Sequence, residues 1–158
     1  MSRNVILLLL AITMAATVAM AATSDNHTVT VTIPTINDVA ITGGNLILTF
    51  AVPTPGSNPS DVSDLTTSDL AWSSNTASQK ITVATNVAVP VATLKVTAGS
   101  VTGGTSAGQV TLSTTAADFV TAIVLGNGGC DLEYVASATS ADAAGSEVHT
   151  VTYTITSI

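Results

Sequence analysis

Apolar and polar positions alternate along most of this chain. Residues 28–33 read Thr-Val-Thr-Val-Thr-Ile, so Val29, Val31 and Ile33 fall on one side and the threonines on the other. A period of two marks a half-buried β-strand, because successive side chains of a pleated backbone leave opposite faces. The same alternation returns at Val39 and Ile41, at Leu46, Leu48 and Phe50, and at Leu70 and Trp72. It continues at Ile81 and Val83, Leu94 and Val96, and Val110 and Leu112. It then runs from Cys130 through Leu132 and Tyr134 to Ala136, and over residues 148–156. Turn formers separate these runs: Pro34, Gly43-Gly44-Asn45, Ser73-Ser74-Asn75 and the glycine-rich stretch 101–108. Residues 52–60 carry Pro53, Pro55 and Pro59. They read as a surface loop, since proline has no donor for a sheet ladder.

One stretch departs from the rule. Thr115 followed by Asp118 resembles a helix start, and Phe119, Ala122 and Ile123 would then share a helical face. A short helical turn is therefore predicted over residues 115–123, bridging two sheets. About eight or nine short strands at this spacing predict an all-β, antiparallel immunoglobulin-like β-sandwich, with a closed barrel as the second architecture. An outer-membrane barrel fits poorly, because its strands need about 9–11 residues each.

Two internal echoes refine the pattern. Asp69-Leu70-Ala71-Trp72 resembles Asp131-Leu132-Glu133-Tyr134, each placing a leucine and an aromatic on one face. His27-Thr28-Val29-Thr30-Val31-Thr32-Ile33 resembles His149-Thr150-Val151-Thr152-Tyr153-Thr154-Ile155. The first strand is expected either to pair parallel to the last strand of its own chain or to pair with a neighbouring chain.

The start of the chain changes the picture. Arg3, the apolar run from Val5 and the small-x-small triplet Ala19-Met20-Ala21 predict a cleaved secretory signal peptide over residues 1–21. A membrane anchor is the alternative, but a span needs about 20 apolar residues and no charged stop-transfer segment follows. Cleavage leaves residues 22–158 as one sandwich domain, large enough to close a single core. It also leaves Lys80 and Lys95 as the only strong cations against all ten carboxylates. That balance argues against nucleic acid and against an anionic membrane surface. Threonine and serine supply most of the remaining polarity, and β-branched threonine packs well on a pleated sheet.

Candidate chemistry is sparse. Cys130 is the single cysteine, so it serves either as a small core residue or in an intermolecular disulfide. His27 and His149, with Asp25 and Glu147 close in sequence, supply zinc-type ligands without a compact motif. Asp61, Asp64 and Asp69 supply oxygens that suit calcium, though not at EF-hand spacing; a solvated acidic loop is the alternative. Trp72 and Tyr134 would bind glycans if exposed, and otherwise belong to the core. Asn26-His27-Thr28 is a glycosylation sequon. Serines abound without a Gly-x-Ser-x-Gly elbow, and no glycine-rich phosphate loop is present. The chain is read as having no enzymatic activity, no cofactor and no assigned metal.

The alternation Val29-Thr30-Val31-Thr32-Ile33, the pair Ala144-Gly145 and the alternating residues 148–155 resemble bacterial secreted surface domains. The end of the chain is similar to the last strand of spore-coat-U-like and fimbrial subunits. Those subunits usually carry cysteines near their start, which this chain lacks. The resemblance implies a secreted sandwich that assembles or decorates a surface. The expectation is a secreted, extracellular or cell-surface structural protein, with a periplasmic location also open. It would associate with copies of itself or with a cell-surface partner, by addition of an extended strand to a sheet edge. A carbohydrate- or other ligand-binding module is the second expectation.

Overall fold

The computed structural model describes residues 23–158. The predicted signal segment, residues 1–21, lies outside the described residues. The chain divides into a unit ending at Thr32 and a compact unit Ile33–Ile158. Within the first unit, the described residues 23–32 carry no regular secondary structure and are exposed.

The second unit is all-β, and no helix occurs among the described residues. Its strands are β1 (Asn37–Thr42), β2 (Val62–Asp64), β3 (Asp69–Ser74), β4 (Gln79–Thr85), β5 (Thr93–Thr102), β6 (Thr105–Ser106), β7 (Val110–Thr111), β8 (Ala117–Ile123), β9 (Gly126–Ser137) and β10 (Val151–Ser157). One sheet has the order β1-β3-β9-β5-β7, with β2 also pairing β9; the other has the order β10-β4-β8-β6. Every ladder is antiparallel. Two antiparallel sheets closing on one core make a β-sandwich.

The alternating rows of the sequence become the core directly. Leu70 and Trp72 of β3, Ile81 and Val83 of β4, Val96 of β5 and Leu132 of β9 are all buried. Their threonine, serine and lysine neighbours face out, as period-two geometry requires. Asp69 pairs with Asp131 and Leu70 with Cys130, so the Asp-Leu-x-aromatic echo lies on adjacent strands of one sheet. The two sheets are joined across the core by Tyr134 of β9 and Tyr153 of β10, whose hydroxyls are 2.9 Å apart and buried. The Phe119 ring of β8 tilts against Tyr153 at 56°, with centroids 5.1 Å apart.

Trp72 faces Gly128 across the β3–β9 ladder. A Cβ at Gly128 would collide with the indole and would lie 2.6 Å from the Thr102 carbonyl oxygen. The glycine is what lets the largest side chain of the core enter the sandwich.

Three sequence expectations are corrected. First, residues 115–123 are not helical: β8 occupies residues 117–123. The Thr115 N–H donates to Ser113 Oγ at 3.2 Å, a local turn rather than a helix cap. The β4–β8 register slips on both sides of Ile81. This bulged ladder accompanies the burial of two consecutive residues, Phe119 and Val120. A bulge breaks the period of two, and Phe119, Val120 and Ile123 then imitate helical spacing. Second, residues 28–33 form no strand, and the ladder that β10 makes is antiparallel, with β4. Third, Leu46, Leu48 and Phe50 keep their alternation without joining a ladder; Leu46 and Leu48 pack half-buried against the core.

Candidate functional site

The feature that stands out is the N-terminal segment together with its root. Val29, Val31 and Ile33 are exposed, at 70%, 80% and 76% of their surface. An alternating row of β-branched residues that stays in water lacks the partner for which its pattern suits it. The chain becomes fixed just after this row. The Asn75 side chain donates from Nδ2 to the Pro34 carbonyl at 2.7 Å and accepts from the Ile36 N–H at 2.8 Å. The Asn75 N–H donates to the Ile36 carbonyl at 3.0 Å. Asn75 sits in the turn after β3, where Ser73-Ser74-Asn75 reverses the chain, so the turn also holds the segment that leads into β1.

Among the described residues, neither histidine belongs to a cluster of three or more ion ligands. His149 lies beside Glu147, with Nε2 3.1 Å from Oε1, and its Nδ1 is 3.1 Å from Thr85 Oγ1. The Glu147 carboxylate accepts the N–H groups of Val91 and Ala92 at 2.9 and 3.2 Å. Burial alone would raise the Glu147 pKa, but the Val91 N–H, His149 and the Ala92 N–H together hold it below the ordinary carboxylate value. Asn86 completes this cluster: its Oδ1 accepts the Thr150 N–H at 2.7 Å and its N–H donates to the Thr150 carbonyl at 3.2 Å. These contacts tie the β4–β5 loop to the entry of β10. His27 and Asp25 lie in the exposed first unit.

The aspartates serve the backbone. Asp64 accepts the Thr67 hydroxyl at 2.7 Å and the Thr67 and Thr66 N–H groups at 2.9 and 3.2 Å; these bonds, the Thr67 hydroxyl first, lower its pKa. That is the local turn chemistry aspartate favours. Asp69 stands on β3 opposite Asp131, and Asp61 is exposed. Among the described residues, no three His, Cys, Asp or Glu side chains gather as an ion site would need.

Trp72 and Tyr134 are 3% and 7% exposed. Both belong to the core and offer no stacking surface to a sugar ring. Cys130 is a buried free thiol, pushed up to about 12 chiefly by burial and further by Asp131 and Asp69. A thiol held protonated and enclosed is a poor nucleophile and a poor disulfide partner.

An acidic, antiparallel β-sandwich whose described residues gather no ion-binding cluster, preceded by an exposed strand-like segment, is the class that fold and site define. No protein-family model matches the chain, and no curated protein matches it.

Proposed function

We infer that this is a secreted structural subunit that assembles with copies of itself by strand addition. The observation that carries the reading is the exposed row Val29, Val31 and Ile33 in a segment with no regular structure of its own. Six residues of strict alternation, β-branched throughout, are poor linker composition and good strand composition. Donated to the sheet edge of a neighbour, the segment gains main-chain hydrogen bonds for affinity and an apolar row for register. The threonine- and serine-rich composition supports this role, since hydroxyl groups are solvated without carrying charge. The Asn75 contacts with Pro34 and Ile36 support it too, by giving the donated segment a firm root. Secretion follows from the signal-like residues 1–21, and the likeness to fimbrial subunits points the same way.

The test is deletion of residues 22–33 from the mature protein, followed by size-exclusion chromatography and negative-stain imaging. The expected result is a folded monomer that no longer forms multimers, while the full mature chain does. A truncated chain that still assembles would sink the reading.

A further inference from the structure

Strand addition needs an acceptor, and the edges of the two sheets are unequal. Edge strands expose a row of unpaired backbone groups, and proteins blunt them with charge, shortness or local capping. β6 and β7, at one edge of each sheet, are two residues long. β1 is six residues long but carries Asp38. In its ladder with β3, the Ile36–Asn75 position is hydrogen-bonded, so by alternation the backbone groups of Asn37, Val39 and Ile41 point away from the sheet. The Asp38 carboxylate folds back and accepts the Val39 N–H at 2.9 Å. The middle donor of that edge is taken by its own neighbour, with a negative charge beside it.

β10 is neither short nor charged. It reads Val-Thr-Tyr-Thr-Ile-Thr-Ser, with no charge, proline or glycine. Asn86 donates to the Thr150 carbonyl and Ile158 donates to the Ser78 carbonyl, which sets the phase of the β4–β10 ladder. Thr152, Thr154 and Thr156 therefore bond inward to β4, while the backbone groups of Val151, Tyr153, Ile155 and Ser157 point outward. Among the described residues, no ladder occupies that outer side, and β1 lies near β10 without pairing with it.

Charge selects the same edge. The full sequence has a formal net charge of −7, and the mature chain keeps only Lys80 and Lys95 against ten carboxylates, so two copies repel wherever their carboxylates approach. β10 and residues 28–33 are both free of charged side chains, so they can meet without bringing carboxylates together. They also share the Thr-Val-Thr-x-Thr-Ile pattern, so the donated row repeats the spacing of the strand it would extend.

We propose that the outer edge of β10 is the acceptor, and that its occupant is the 28–33 segment of a second copy. The proposal rests on the strand-addition reading above and adds the edge. It is tested by disulfide trapping between full mature chains. One batch carries Thr28→Cys, Thr30→Cys or Thr32→Cys; the other carries Thr154→Cys on β10 or Ala40→Cys on β1. The native Cys130 is buried and serves as the background. After mixing and oxidation by oxidised glutathione, non-reducing electrophoresis is expected to show a mixed dimer with Thr154→Cys for one arm position above the others. The Ala40→Cys chain is expected to stay at the level of the unsubstituted chain. Preferred trapping on Ala40→Cys would overturn the β10 assignment and leave strand addition standing. No trapping on either edge would overturn the assignment as well. If the chain lacking residues 22–33 also assembles, the reading beneath it falls.

Discussion

The two tyrosines that bridge the sheets make a quantitative prediction. Tyr134 and Tyr153 are each 7% exposed, and each hydroxyl has the other as its hydrogen-bond partner at 2.9 Å. Removing one hydroxyl by Tyr134→Phe or Tyr153→Phe leaves the other buried without a partner. An unsatisfied buried polar group costs about 1–3 kcal/mol, whereas removing both partners of a buried bond can be nearly neutral. Each single variant should therefore lose about 1–3 kcal/mol, and the double variant should lose no more than the worse single. The coupling in a double-mutant cycle would then equal or exceed the smaller single effect, above the roughly 0.3–0.5 kcal/mol scatter of independent sites. Urea unfolding followed by the emission of Trp72, the chain's only tryptophan, measures all four proteins. Midpoints should move at constant slope, which reports stability rather than a change in surface exposed. Additive losses would refute the reasoning, because they would mean that each hydroxyl is satisfied independently of the other.

Two further predictions concern the same core. Raising the pH should destabilise the fold from about pH 9 upward. Cys130 has its pKa raised from 9.0 to about 12, and Tyr134 and Tyr153 are raised above 10.0, all chiefly by burial. A raised folded-state pKa gives stability that is complete below the unfolded value and lost as pH climbs toward the folded one. Thermal melts between pH 8 and 11 should fall, with Cys130→Ala removing the earliest part of the fall; a flat profile would contradict this. Gly128→Ala should destabilise by about 1–3 kcal/mol, since its methyl group must displace the Trp72 indole in a packed core. Urea unfolding measures it, and a loss under about 0.5 kcal/mol, the level of an ordinary surface change, would show that the indole moves aside freely.

Some of this protein was readable from side-chain order alone. The rows Leu70-x-Trp72, Ile81-x-Val83, Leu94-x-Val96 and Cys130 to Ala136 became strands with the expected faces inside. Segregation of apolar and polar side chains to opposite faces is a local property of an alternating strand, whatever the partner. What alternation does not record is who supplies the hydrogen bonds. Residues 28–33 and Leu46-x-Leu48-x-Phe50 have the same period as the core strands, yet neither joins a ladder. Pairing depends on backbone edges contributed by distant segments. The β4–β8 register slip shows the same limit from the other side: it accompanies the consecutive burial of Phe119 and Val120 and gave a true strand a helical spacing. The candidate residues follow suit. Glu147 found its role in the amides of Val91 and Ala92, and Asn75 in the backbone of Pro34 and Ile36, partners far away in sequence. The choice between core and surface for Trp72 and Tyr134 was likewise tertiary, because an apolar row is equally compatible with a buried face and a binding face. The order of residues determined which faces are apolar; the assembled sheets decided which of those faces find a partner within the chain and which edges stay open.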